Sequence, residues 1–580
     1  DIYSYLKSLI KDSVLNLIND GVFNCNLEDV VINIEPIKDR SKGDFSTNIA
    51  MSNAKLLKKK PMDICDSIIS KIKDLDCFNK VEKAGAGFIN FFVKDSFLVK
   101  FLHDSICDDF GKNDIGNGKY VNVEYVSANP TGPLHAGHAR GAVIGDVMAN
   151  LFRVNGYNVT KEYYVNDHGN QIKILVSSLY ERYLEALHIK EFELKEGNYP
   201  GEYLKDIANE LVQKYSDTLL QKTDNERYDV LKNFAVNSIL STIKDDMLAL
   251  GIKHDVFSSE TKLVNDGKVR EAIEFLKEKG LVYKGVLVQP KGKVVDDWEP
   301  KEQTLLKTKQ YGDDTDRVLI KSNGDLTYFA SDIAYHFDKV KRGYDIIVDC
   351  FGADHGGYVK RMEAAVDAIS DRKVNFKIFL CQIVKFLNGG EEVKMSKRAG
   401  NFITLRDIID EVGSDIIRFI MLTRKSEAPM VFDFKQVIEQ SKDNPVFYVQ
   451  YAHARICSVI RQFKKVFPES NFIEKMDDVN LENVCTSSEE REIIMSILDW
   501  PRQVRIACNN FEPHKIPFFL HEISSMFHNL WNVGKNNENL RFILENNLEM
   551  TKSKLWLLNC IKYVISNGLE ILGIKAVEEL

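Results

Sequence analysis

The chain has 580 residues, 44% hydrophobic and 28% charged, with a formal net charge of −8. That length is too great for one core, the composition excludes a disordered chain, and no apolar run is as long as a membrane span. The negative balance excludes a surface that is a nucleic-acid footprint throughout, although basic stretches such as Lys58 to Lys60 and Arg461 to Lys465 fit either local phosphate contacts or a solvated face. The ten cysteines include no Cys-x-x-Cys and no Cys/His cluster at zinc spacing. They read as reduced thiols of a cytoplasmic protein with no structural metal. Asp1 to Leu17 has interspersed charges and no apolar h-region, so it does not read as a secretion signal.

In chain order, residues 1–112 read as a separate α+β unit. Tyr3 to Ile18 carries apolar residues at helical spacing, and Val30 to Ile34 predicts a short strand. GDFSTNIAM leads into a second helix, and Ala84 to Gly87 forms a turn feeding the strand FINFFV. The turn-rich stretch Phe110 to Lys119 reads as a linker. Val121, Val123 and Tyr125 then alternate as in a strand, Asn129-Pro130 and Gly132-Pro133 break it, and a helix opens on His135 and His138. In that helix Gly137, Gly141, Gly145 and Ala149 leave one ridge bare. The ridge fits a helix-packing device or a seat for a flat ligand. The two histidines fit an anion site at a helix end, a metal half-site or plain surface.

Val159 to Val165 supplies a second strand, giving a right-handed parallel crossover. Residues 166–252 turn helical, and an insertion over about 166–315 is expected. Arg317 to Ile320 and Leu326 to Phe329 read as strands. Ile346 to Phe351 is a buried strand running into Gly352-Ala353-Asp354-His355-Gly356-Gly357, and Lys377 to Phe386 is a further strand. The expected fold class is α/β: a Rossmann-like, doubly wound parallel sheet over 113–425, with ligands at strand carboxyl ends. Residues 426–580 show only amphipathic helical patterns and read as an all-α bundle.

After the Gly389-Gly390 turn comes Lys394-Met395-Ser396-Lys397-Arg398. Alone it is a basic loop; it also suits a triphosphate, whose charge shifts onto the departing pyrophosphate. Together, His135-Ala136-Gly137-His138 and Lys394 to Lys397 resemble the signature pair of class I aminoacyl-tRNA synthetases. SANPTGPLHAGHARG, NDHGNQ, YPGEYL, DRVLIKSNGDLTYFASDIAYH, GADHGGY and NPVFYVQYAHARI narrow this: the chain resembles arginyl-tRNA synthetases of bacterial type over essentially its whole length. It departs at 552–556, where KSKLW stands in the region in which this family often has Asp-Ala-Leu-Arg.

The resemblance implies activation of L-arginine by ATP with Mg²⁺, then transfer to tRNA(Arg), by a monomer that contacts no membrane. It implies catalytic roles for His135, His138, Lys394 and Lys397. ATP would meet Pro133, Leu134, His135, Gly137, His138, Met395, Ser396 and Lys397. Arginine would meet Glu124, Ser127, Asn129, Tyr328 and Asp332, with Asp354 and His355 beside them. The first unit would touch the tRNA elbow and the last would read the anticodon, where Phe447, Tyr448 and Tyr451 fit base stacking or, for two of the three, core. A cysteinyl-tRNA synthetase would need a zinc site that the cysteine spacing does not offer. A non-catalytic tRNA-binding paralogue is expected to have lost a signature histidine or lysine, and all four are present.

Overall fold

At the centre of the computed structural model is a five-stranded parallel sheet. Its strands in chain order are Tyr120–Glu124, Asn158–Val165, Val256–Ser259, Ile346–Gly352 and Asn375–Cys381; across the sheet they lie third, second, first, fourth, fifth. The structure describes residues 1–194, 197–287, 298–393, 403–439, 444–472 and 478–580. The order reverses between Tyr120–Glu124 and Ile346–Gly352. Chain leaving these two carboxyl ends diverges, and the crevice left between them is where a doubly wound sheet takes its ligand. Both faces of the first strand are covered: Val121, Asn122 and Val123 are fully buried and Glu124 nearly so.

Four sequence expectations are corrected. The stretch 166–315 is not wholly an insertion, because Val256–Ser259 inside it pairs with Asn158–Val165 as the edge of the main sheet. Three helices, Asn170–Ala186, Tyr203–Tyr215 and Asp224–Ala249, form the crossover before it. Arg317–Ile320 belongs to a small antiparallel sheet with Gln303–Leu306 and Val282–Gly285. Leu326 to Phe329 is not a strand: the Thr327 hydroxyl accepts the Ala330 N–H and starts the helix Tyr328–Lys341. Among the described residues Val30 to Ile34 has no strand partner. There the Asn53 side chain takes both backbone groups of Val31, accepting its N–H at 2.9 Å and donating to its carbonyl at 2.8 Å; the paired strand is Glu35–Pro36. Lys377 to Phe386 splits, its first part closing the main sheet and Val384–Asn388 pairing parallel with Met430–Asp433.

The helix Ala139–Val154 packs beneath the sheet with twelve of its residues buried, and two charged side chains fix it. Asp146 lies 2.7 Å from Lys161 and 2.5 Å from Arg418 and accepts the Tyr125 hydroxyl at 3.0 Å. Arg418 also donates to the carbonyls of Leu572 and Leu250, so one buried guanidinium ties this helix to the crossover and to the C-terminal helices. Arg140 donates to the carbonyls of Gln382, Ala428 and Lys425. The bare ridge expected in this helix does pack: a Cβ at Gly145 would stand 2.3 Å from the Tyr125 ring.

At the N-terminus a four-stranded antiparallel sheet carries helices Ile2–Asn19, Ile49–Leu57, Pro61–Ile72 and Asp95–Ser105. Asp1 caps the first by accepting the Ser4 N–H. Among the described residues of 445–571 are four long helices, Pro445–Val466, Ser488–Asn509, Lys515–Asn536 and Leu548–Ile571. Arg491 joins the two ends of the chain through Asp44 at 2.8 Å and Asp95 at 2.7 Å. In the KSKLW segment Lys554 is buried against Glu490, so that departure is a core ion pair. Among the described residues no helix is long and apolar enough to cross a membrane.

Candidate active site

The first strand ends at Glu124, and the chain turns through Val126 and Ser127 with φ of 69° and 41°. A β-branched residue in the left-handed region is a rare conformation, held here by its surroundings. The turn brings the Ser127 hydroxyl back to donate to Glu124 Oε1 at 2.9 Å while accepting the Tyr164 N–H at 3.0 Å. Pro133 and Leu134 then lead to a 3₁₀ turn, Ala136–His138, at the mouth of the long helix.

There the His138 ring accepts the His135 N–H at Nδ1, 3.1 Å away, while the His138 N–H donates to the His135 carbonyl at 2.9 Å. With Nδ1 accepting, Nε2 is the His138 nitrogen placed to donate. The rings stack with centroids 3.8 Å apart. A Cβ at Gly137 would stand 2.9 Å from the His135 ring. Both rings border a cavity of about 360 Å³ with Gly137, Gly141, Gly352, Asp354 and Cys381. Its walls therefore come from the carboxyl ends on either side of the reversal in strand order.

Lys394, Met395, Ser396 and Lys397 lie outside the described residues. The chain that follows them is placed: Ala136 N–H donates to the Ile403 carbonyl at 2.9 Å and Leu405 N–H to the Leu134 carbonyl at 2.8 Å.

On the other side of Glu124 lies a buried ionic cluster. Glu124 Oε2 is 2.6 Å from Lys339 Nζ, which is 3.0 Å from Asp349; Asp349 in turn meets His336 Nε2 at 2.7 Å. His336 Nδ1 donates to the Asp332 carbonyl at 2.7 Å, and the Tyr358 hydroxyl donates to the Asp332 carboxylate. Glu260, at the start of the helix Glu260–Asn265, stands in the field of Asp332 and Asp167. Burial pushes the Glu124 carboxyl up against the pull of Lys339. It pushes Asp332 up likewise, and with Asp332 and Asp167 nearby it lifts Glu260 to about 7. Against burial, Lys339 and His336 hold Asp349 down at about 2. At these three carboxyls burial outweighs the cations within reach, so a further cation is favoured there. The Tyr164 hydroxyl, in the field of Glu260, Asp332 and Glu124, is buried with no hydrogen-bond partner among the described residues.

The structure thus brings Glu124, Ser127 and Asp332 together. Tyr328, 69% exposed, stands apart on the rim of a wider cleft with Gly169, Lys173 and Glu260. Asn129 donates to Gln171 at 2.7 Å. Asp354 and His355 do not join the carboxylate cluster: Asp354 borders the histidine cavity, and His355 lies 3.7 Å from it, exposed at the surface. Sequence reading missed Tyr164, Glu260, His336, Lys339, Asp349 and Tyr358. Asp349 had a signal, a charge inside the apolar strand IIVDCFG; Lys339 had none, because its partners come from other elements.

The family model for class I (R) tRNA synthetase catalytic domains matches residues 105–463. The arginyl-tRNA synthetase N-terminal model matches 4–93, and the DALR anticodon-binding model matches 449–580. Strand order, histidine turn and these matches define a class I aminoacyl-tRNA synthetase. The chain is 45% identical over 583 residues to the arginine–tRNA ligase of Ruegeria pomeroyi and 46% identical to that of Wolbachia pipientis wMel, covering 100% of both chains in each case. It belongs to the arginyl-tRNA synthetase family. The arginyl-tRNA synthetase of Thermus thermophilus, at 18% identity, shares the fold with a TM-score of 0.73 over 100% of both chains.

Proposed function

We propose that this chain joins arginine to tRNA(Arg) in two displacements. An arginine carboxylate oxygen attacks the α-phosphorus of ATP as the bond to pyrophosphate breaks; the terminal ribose hydroxyl of the tRNA then attacks the arginyl carbonyl and AMP leaves. The observation that carries this reading is the cavity at the strand-order reversal, bordered by both histidines and by Val126, two residues past the buried Glu124.

His135 and His138 donate to the oxygens of the five-coordinate phosphorus, the place where a preorganised donor counts most. Pro133, Leu134 and Gly137 shape the adenylate seat. Lys394 and Lys397 take the β- and γ-phosphates, with Met395 and Ser396 beside them; the bonds from Ile403 and Leu405 to the histidine segment support that assignment. Among the described residues no group of three or more His, Cys, Asp or Glu is placed to hold one ion, so in this reading Mg²⁺ arrives on the triphosphate.

A guanidinium offers five donors in a plane, which carboxylates match. Asp332 and Glu124 receive it, Ser127 and Lys339 hold Glu124 in place, and the Tyr164 hydroxyl finds its partner there. Tyr328 closes the rim. The bond from Asn129 Nδ2 to Gln171 leaves Oδ1 to accept from the arginine ammonium. Asp354 and His355 border the nucleotide in this reading rather than the arginine.

The units are placed at 1–112, 113–425 and 426–580, the first at the tRNA elbow and the last at the anticodon. Tyr451, 44% exposed beneath Arg455, and Tyr448, stacked on His521, support a base-stacking face there. Neither tyrosine is fully buried core; the helix Lys515–Asn536 meets them with His521 and His528. The enzyme is placed in the cytoplasm as a monomer, which sedimentation tests. Aminoacylation of purified tRNA with each amino acid in turn tests the reaction: charging by arginine alone is expected, and charging by cysteine or glutamate instead would sink it.

A further inference from the structure

All ten cysteines are free thiols. Cys350 and Cys381 lie on neighbouring parallel strands near their carboxyl ends. Phe379 stands opposite Cys350 and Gly352 opposite Cys381, so the two cysteines are offset by two residues and their side chains share a face. Each thiol stands in the other's surroundings. Both sulfurs border the histidine cavity. Above them Gly141 has no side chain, and a Cβ there would come only within 4.0 Å of Cys381 Sγ. Both residues are half-buried, so a small molecule that enters the cavity reaches them.

We propose that Cys350 and Cys381 form a paired-thiol site in the wall of the nucleotide cavity. It takes one soft trivalent electrophile, of the class of an aryl arsenoxide, and its occupancy excludes ATP. This rests on the reading of that cavity as the ATP seat. In water the probe is a dihydroxyarsine. Each sulfur displaces one hydroxide, so two As–S bonds form, two As–O bonds break, and the thiol protons leave in two waters; no electrons are transferred.

The second link is intramolecular and therefore far tighter than two separate thiols would give. The neighbouring Cys350 thiol, with the charge of Arg140, holds the Cys381 thiol below its ordinary range, which supplies the first nucleophile. Eight cysteines, Cys350 among them, are pushed up by burial or by a neighbouring thiol. An exposed lone thiol such as Cys107 forms only one As–S bond, which an added monothiol reverses.

The full chain is treated with phenylarsine oxide in excess 2-mercaptoethanol and read by intact mass. One adduct per chain is expected, bridging the peptides that carry Cys350 and Cys381, removed by 2,3-dimercaptopropanol, and lost in both C350A and C381A. With ATP at about a hundred times its Kd, the adduct forms about a hundredfold more slowly. No adduct in the wild type, an adduct surviving in either variant, or a peptide map placing it elsewhere overturns the paired site; the map reads the wild type, so it decides even if a variant misfolds. An adduct that bridges both cysteines yet forms as fast with ATP leaves the thiol pair standing. That result overturns the exclusion of ATP and, with it, the reading of the cavity as the nucleotide seat.

Discussion

Arginine affinity is expected to depend on pH through Glu260. Its carboxyl rises from an ordinary 4.5 to about 7 because it is buried beside Asp332 and Asp167. Ionising it in the free enzyme therefore costs about 3 kcal/mol more than in water. For an acid raised in the folded state the sign is fixed: stability falls as pH climbs from 4.5 through about 7, where the buried charge appears. A guanidinium among these carboxylates supplies a further cation, lowers the Glu260 pKa and expels its proton. Arginine binding at pH 7 should then release about half a proton, and affinity should rise about tenfold between pH 6 and pH 8. Titration calorimetry in two buffers of different ionisation enthalpy reads the proton, and Glu260→Gln should flatten the profile. A flat affinity in the wild type, or the same slope in the variant, would refute this role of Glu260.

Other perturbations separate chemistry from scaffold. His138→Asn should lower kcat by about 10²–10³, the usual loss of one preorganised donor, with stability followed by urea unfolding because the same ring caps the His135 N–H. Lys397→Ala should cut adenylate formation far more than tRNA binding; equal losses in pyrophosphate exchange and gel-shift assays would remove its assigned role. Arg418→Ala strands Asp146 beside Lys161 alone and should destabilise by about 3–5 kcal/mol, a fall in urea midpoint that Arg418→Lys only partly restores. Gly145→Ala drives a methyl into the Tyr125 ring and should cost about 1–3 kcal/mol, without changing arginine specificity in aminoacylation.

Much of the site is legible locally. The histidine turn, the Pro/Gly loop and the apolar strand before it lie within twenty residues, and their chemistry depends on spacing alone. Tyr328 shows the limit: hydrophobic alternation read Leu326 to Phe329 as a strand, while the Thr327 cap made it a helix start. That change of element turns Asp332 inward and leaves Tyr328 on the rim. Val256–Ser259 was hidden for a different reason. Four half-buried residues after a long helical run carry no pattern of their own, and pairing with Asn158–Val165 alone makes them a strand.

By itself the sequence determined the elements with short-range causes: capped amphipathic helices, central apolar strands, and two signature motifs whose residue types suit a triphosphate. Only the tertiary structure decided the electrostatics. Lys339 reaches Glu124 across 215 residues and Asp349 across 10, and Asp332 lies against Tyr358 from another helix. A carboxylate's charge state depends on the cations and burial around it in space, which sequence separation does not encode.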